Sequence, residues 1–303
     1  MIPRLLACFL LGASAHAGIV EDVRGALAQN NFVAAEAELA AYRSRNGPTP
    51  EMIEAHSWLG RGALEVHQLE RAEGYAHDTQ RLVREQLKKR ALDAEPHLPI
   101  ALGAAIEVRA QALAARSQRT QAVQFLQTSL ATYRNTSMRP RIQKNLNLLS
   151  LTGKPAPALK IAEHLGTQPV PLSQLKGKLV LLFFWAHWCG DCKYESPILA
   201  RLKSEYLGRL AVVGPTRLYG YAARGEDATP QVELAHIDQV RQRYYAGLLG
   251  MPVPVSTDNF NTYGASTTPT LVLLDGKGNV VLYHPGAMTY DELKSAIEKA
   301  LAG

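Results

Sequence analysis

Two cysteines, Cys189 and Cys192, stand three residues apart in the run Trp185-Ala186-His187-Trp188-Cys189-Gly190-Asp191-Cys192. On a helical turn, residues at that spacing lie about 5–6 Å apart, which is the Cα separation a disulfide needs. Two thiols so placed can exchange electrons with a partner disulfide. The reactive species is the thiolate, and a helix N-terminus stabilises it through unpaired N–H groups and the helix dipole. Cys189 falls just before the helix that the next residues predict, so its sulfur is expected to be exposed and acidified. Cys192 falls inside the helix and is expected to be more buried. That asymmetry gives Cys189 the attack on a partner disulfide and Cys192 the resolution of the mixed disulfide.

The elements around the pair follow from periodicity. Residues 178–186 (KLVLLFFWA) form a continuous apolar run between Gly177 and the cysteine motif, the pattern of a central strand buried on both faces. After Cys192, Ile198, Leu199 and Leu202 recur at helical spacing to Tyr206. Short strands are expected over 210–214 and 270–274, and a helix over 231–248. Asp275-Gly276-Lys277-Gly278-Asn279 is a turn that lets 280–283 pair back as a hairpin. Thr289 and Glu292 form a capping box for a closing helix over 289–302. This order of strands and helices predicts a mixed α/β sheet covered on both faces.

Upstream of Gly153-Lys154-Pro155-Ala156-Pro157 the texture changes. Residues 18–150 are rich in Ala, Leu, Gln, Arg and Glu, all good helix formers. They predict an all-α N-terminal domain, joined by a linker over 151–157 to a C-terminal domain over 158–303. Trp58-Leu59-Gly60 with Ala63, Leu69 and Ala72 is similar to a tetratricopeptide hairpin. Phe32, Ala35 and Leu39 fit the second helix of an earlier unit, and Gln121-Ala122, Leu126 and Ser129 that of a later one. The irregular spacing leaves a plain helical bundle as the alternative. The histidines of this half, His56, His67, His77 and His97, are scattered and predict surface or satisfied core positions.

At the N-terminus, Arg4 precedes an apolar run over 5–13, and Ala15-His16-Ala17 forms an A-x-A site before Gly18. This reads as a signal peptide over 1–17 and a periplasmic or otherwise exported protein; a buried first helix is the alternative. Leu5-Leu6-Ala7-Cys8 resembles a lipoprotein box, but almost no apolar segment precedes Cys8, so a lipid anchor there is not expected. No later segment is expected to span a membrane. The 303 residues hold three cysteines, Cys8, Cys189 and Cys192; cleavage removes Cys8 and leaves one close pair, so the chain is not a disulfide framework. No second ligand pair has the spacing for a structural zinc, and no metal or cofactor beyond the redox-active disulfide is expected. Lys and Arg total 33 against 27 Asp and Glu, a net charge of +6 without a basic run, and nucleic acid is not an expected partner. A composition 47% hydrophobic and 20% charged excludes a disordered or fibrous chain.

The residues 171–178 (PLSQLKGK), the apolar strand, the W-C-x-x-C motif and Glu195-Ser196-Pro197 together resemble the TlpA/ResA group of exported thiol-disulfide oxidoreductases, which are thioredoxin-like. The similarity continues through 253–255, Tyr263-Gly264, Thr267-Thr268-Pro269-Thr270 and Asp275-Gly276-Lys277-Gly278, and covers about 157–301. The resemblance implies a thioredoxin-like mixed sheet with flanking helices. It implies that Pro269 is a cis-proline facing the cysteines, with the Thr268 backbone beside Cys189 to pair with an extended substrate segment. A trans-proline at a strand start is the plainer reading. It also gives Glu195 the proton of Cys192, because Phe183 occupies the position where ordinary thioredoxins carry a buried Asp; a first-turn acid favoured by the helix dipole is the alternative.

Gly190-Asp191 departs from the commoner proline at the second intervening position. An acid beside the thiolate raises cysteine pKa values and favours a reductant. His187 could offset this by charging, though an exposed loop residue is the plainer expectation. Trp185 and Trp188 are expected to pack at the rim, with Trp188 also offering substrates an apolar contact. Residues 215–250 exceed the resemblance and are rich in tyrosine and arginine. They either line a partner surface or fold on themselves.

The leading expectation is therefore a reductase of protein disulfides, fed by a membrane thiol donor as the resemblance implies. A peroxiredoxin-like peroxidase is the second reading, but Ala186 stands where such enzymes hold threonine. A binding or adaptor protein, with the helical half docking a protein partner, is the third.

Overall fold

The computed structural model describes residues 18–302; the expected leader and Cys8 lie outside them. The chain resolves into two compact units, one extending to Val108 and one from Arg109.

The first unit is helical: α1 (Ile19–Ala28), α2 (Phe32–Asn46), α3 (Pro50–Glu65), α4 (Leu69–Leu87) and the start of α5 (His97–Ala115). α6 (Arg119–Thr132) and α7 (Arg139–Ser150) follow. Three joints share one turn geometry. Asn30, His67 and Ser117 have left-handed φ of 55°, 59° and 63°. The N–H of the next residue, Asn31, Gln68 or Gln118, bonds the carbonyl five residues back, on Ala26, Ala63 or Leu113. This is the Schellman stop, and it links α1–α2, α3–α4 and α5–α6 as helical hairpins. Asn pays little for a left-handed φ and is common there; His and Ser are less so.

α5 departs from one expectation. It is the one described helix long and apolar enough to cross a membrane, with a mean hydropathy of 1.3. However, 56% of that stretch is buried within the structure, as in a core helix, which explains its apolar character without a bilayer.

In the second unit a four-stranded sheet has the order β3 (Leu210–Val213), β2 (Leu179–Phe184), β5 (Thr270–Leu274), β6 (Val280–Pro285). β2 runs parallel to β3 and antiparallel to β5, and β5–β6 is the expected hairpin. All six residues of β2 are buried. Leu179, Leu181 and Phe183 enter one apolar cluster, and Val180, Leu182 and Phe184 the other. That alternation is the pleat, and each such side chain stabilises the sheet by about 1.5–3 kcal/mol. β1 (His164–Gly166) and β4 (Pro252–Pro254) pair separately.

α8 (Gly190–Glu205) and α11 (Tyr290–Ala302) pack on the first cluster, whose buried members include Leu199, Leu202, Leu293 and Ile297. α9 (Pro230–Tyr244) adds Ile237 and Val240. α10 (Thr257–Tyr263) covers the other face with Phe260 and Tyr263. The expected capping box forms: Thr289 N–H donates to Glu292 at 2.8 Å and Glu292 N–H to Thr289 Oγ1 at 3.3 Å.

α7 packs within this unit, against α10 and β6. Asn147 donates to the Tyr263 carbonyl at 2.9 Å. Gly264, with φ +61°, leaves no room for a side chain, since a Cβ would meet the Lys144 backbone at 2.3 Å. The segment 151–157, expected as a linker, is bonded to the hairpin: Gly153 N–H to Val280 O and Ala156 N–H to Gly278 O.

Candidate active site

Fully buried β2 ends at Phe184 and the chain turns sharply into α8. The Cys189 N–H donates to the Ala186 carbonyl at 3.1 Å, so His187 and Trp188 occupy the corners of a turn. Trp185, at the strand's end, is anchored by its indole N–H to the Gly214 carbonyl at 2.9 Å and packs 4.7 Å from the Tyr245 ring.

The turn delivers Cys189 to the N-cap of α8. Its sulfur accepts the Cys192 N–H at 3.0 Å, the role an Asp or Ser oxygen fills at other helix starts. Cys189 and Cys192 are joined by a disulfide, with Cα atoms 5.3 Å apart. The expected contrast in exposure is small: Cys189 is 3% exposed and Cys192 0%. Cys189 is not an open sulfur in this oxidised form because it lies in the same apolar cluster as Trp185, Ala186 and Met251. Gly190 and Asp191, the two intervening residues, form the first turn of α8 with nothing within 4 Å of a Gly190 side chain.

Glu195 follows Cys192 by three residues on the same helix, so both point from one face. It is fully buried, and its carboxyl oxygens accept the Met288 N–H at 3.3 and 3.2 Å. Burial pushes its pKa up to about 7, with Asp191 and Glu292 adding repulsion and the Met288 bond opposing. A buried carboxyl poised near neutrality can hold or accept a proton at the working pH.

Thr268 and Pro269 lie at the same end of the sheet. The Thr268–Pro269 bond is cis. Thr270 pairs with Phe184, so β5 begins where β2 hands over to the cysteine turn. Pro269 O accepts from Gly286 N–H at 2.8 Å, while Thr268 Oγ1 is buried without a partner. Trp188 is 49% exposed and meets Tyr219 edge to face at 5.5 Å.

The exposed-loop expectation for His187 is overturned: the residue is 2% exposed. The cause lies in residues 215–250, which fold back over the turn. Tyr219 and Tyr221 present their rings to His187 at 5.7 and 5.3 Å, and His236 of α9 does so at 5.2 Å. Glu233, 1% exposed, ties the loop to α9 by accepting the N–H groups of Tyr219 and Gly220. Glu233 and His236 belong to no motif in the sequence. A start such as Thr229-Pro230, which caps α9, announces a helix but not its contact with a turn more than forty residues upstream. Among the described residues no cluster could hold a metal ion.

Residues 172–301 match the family model of a thioredoxin-like domain. The thioredoxin-like protein YneN of Bacillus subtilis (strain 168) is 31% identical over 147 residues, 48% of this chain and 78% of its own. The chain belongs to the thioredoxin-like family. The thiol-disulfide oxidoreductase ResA of Oceanobacillus iheyensis is 30% identical over 50% of this chain and 73% of its own. Among solved structures, a putative thiol:disulfide interchange protein DsbE from Chlorobium tepidum is 27% identical, covering 50% of this chain and 97% of its own, with a TM-score of 0.37. With a cysteine pair of redox type, the protein is an oxidoreductase of the thiol-disulfide class.

Proposed function

We propose that the protein reduces disulfides of other proteins, with Cys189 as nucleophile, Cys192 as resolving thiol and Glu195 as the acceptor of its proton. The observation that carries this reading is the disulfide at the N-terminus of α8 with a buried, near-neutral carboxyl one turn on. In the dithiol form, the Cys189 thiolate attacks a substrate sulfur. One bond forms between the two sulfurs, the substrate S–S bond breaks, and the released substrate thiolate takes a proton from solvent. Cys192 then gives its proton to Glu195 and attacks the Cys189 sulfur, expelling the second substrate thiolate. The pair ends as the disulfide, and a donor dithiol must return it to the reduced state. By the resemblance that donor is a membrane thiol carrier.

The edge at Thr268 and Pro269 supports docking of an extended substrate segment, with Trp188 as an apolar contact. Gly190 and Asp191 set the pair towards reductant behaviour by placing an acid in the first turn. Export is supported by the apolar run and A-x-A site over 5–17. Recruitment of a protein partner by the helical half is supported by a cleft of about 540 Å³ lined by Leu39, Met52, His56, Leu59, Tyr75 and Leu82.

Reduction of insulin by the dithiol form tests the reading. Activity is expected to vanish in Cys189→Ser, and full activity in that variant would overturn it.

A further inference from the structure

His187 has no part in that mechanism, yet the turn that presents Cys189 is built around it. The two corners of the turn differ in exposure: Trp188 is half exposed and His187 is enclosed, although both rings meet Tyr219. The imidazole Nε2 is 3.7 Å from Glu233 Oε1, beyond hydrogen-bond length, and neither ring nitrogen has a hydrogen-bond partner. A buried polar group left unpaired loses its bonds to water and gains none in return. The charged and titratable groups around it are Glu233 and His236 from α9, Tyr219 and Tyr221 from the loop after β3, and Lys193 and Cys189 on the cysteine side. Glu233 is anchored in place by its two backbone donors, at 2.6 and 2.8 Å. An acceptor is therefore fixed just out of reach of an unpartnered, buried imidazole, two residues before the sulfur that becomes negative when the disulfide is reduced. In the disulfide form, burial pushes the His187 pKa down to about 4, with smaller contributions from His236 and Lys193. An added negative charge nearby acts in the opposite direction.

We propose that His187 is a positioning residue coupled to the redox state: when Cys189 becomes a thiolate, His187 takes up a proton, closes onto Glu233 and holds the turn around the sulfur's charge. The inference rests on the exchange reaction proposed above. Its balance is complete with a donor dithiol. The donor loses two electrons and two protons and becomes a disulfide. The Cys189–Cys192 bond breaks, one proton goes to the Cys192 side and the other to His187. Without His187, the second proton is released to solvent while Cys189 remains a thiolate. Above the His187 titration range of the oxidised form and below that of the reduced form, reduction thus takes up one proton more than the cysteines alone.

Two measurements on the full chain decide it. The first is NMR titration of the His187 ring from about pH 3 to about pH 8, bracketing the oxidised-form value of about 4, in the oxidised and dithiothreitol-reduced protein. The midpoint is expected to lie at least about one pH unit higher in the reduced form, a tenfold change in proton affinity. Equal midpoints would overturn the proposal. The second is the equilibrium constant with dithiothreitol as a function of pH, for the unsubstituted chain and His187→Gln. The two are expected to diverge by about tenfold per pH unit inside that window, and parallel curves would overturn the proposal. If His187→Gln does not fold, the first measurement decides alone. If the pair never equilibrates with the dithiol, the exchange reading fails instead.

Discussion

The two sides of the cysteine turn carry opposite solutions to the same problem. Towards α8 lies Glu195, an acid whose pKa burial raises to about 7. Towards α9 lies His187, a base whose pKa burial lowers to about 4. Both are held neutral over much of the range between, because desolvation penalises whichever form is charged. The difference is in partners. Glu195 keeps one backbone donor, from Met288, while His187 has no hydrogen bond at all. A reaction that creates and moves charge at two sulfurs thus takes place beside two groups whose charged forms burial penalises.

The largest expected effect removes what the two sides serve. Cys189→Ser abolishes disulfide reduction in the insulin assay, whereas Cys192→Ser forms a mixed disulfide with substrate but does not turn over. Next is Glu195→Gln. It slows resolution by about 100-fold, and the rise in resolution rate with pH through about 7 disappears from stopped-flow profiles. The sign follows from the acceptor being the ionised form, present above that pKa.

Stability sharpens the contrast. Glu195 has its folded-state pKa raised from 4.5 to about 7, so the oxidised fold binds more protons than the unfolded chain in that window and its stability falls as pH rises across it. His187 has its folded-state pKa lowered from 6.5 to about 4, so its contribution runs the other way, with stability lost as pH falls from 6.5 through 4. The two slopes oppose between pH 4.5 and 6.5. Urea unfolding of the oxidised protein at the two ends of that window is expected to give similar stabilities. Glu195→Gln unmasks an increase with pH, and His187→Gln a decrease, each on the order of 1 kcal/mol. Flat profiles in both variants would break the comparison.

The smallest effect separates the turn's two corners. Trp188→Ala removes an exposed side chain and is expected to change stability by less than about 0.5 kcal/mol, while raising the KM for protein substrates a few-fold. An unchanged KM would remove Trp188 from the docking surface.

Much of the site was legible in the sequence because its signals are local. The apolar run that became β2, the cysteine spacing and the Thr289–Glu292 box each depend on neighbours within a turn or a strand. Glu195 was legible only as a position, since its raised pKa comes from burial beside Met288 some ninety residues later. His187 was misread for the same reason: what covers it comes from Tyr219, Tyr221, Glu233 and His236. The β1–β4 pair escaped because three-residue strands, one of them Pro-Val-Pro, carry no period. The attachment of α7 and of 151–157 to the hairpin escaped because Gly153 and Pro155 read as punctuation, while Gly153 and Ala156 bond to Val280 of β6 and Gly278 of the turn before it.

The most direct test of the account is to mix reduced Cys192→Ser protein with a disulfide-bonded substrate and map the adduct by mass spectrometry. A covalent link from substrate to Cys189 is expected. A link formed equally well by Cys192 in the Cys189→Ser protein, or no link at all, would contradict it.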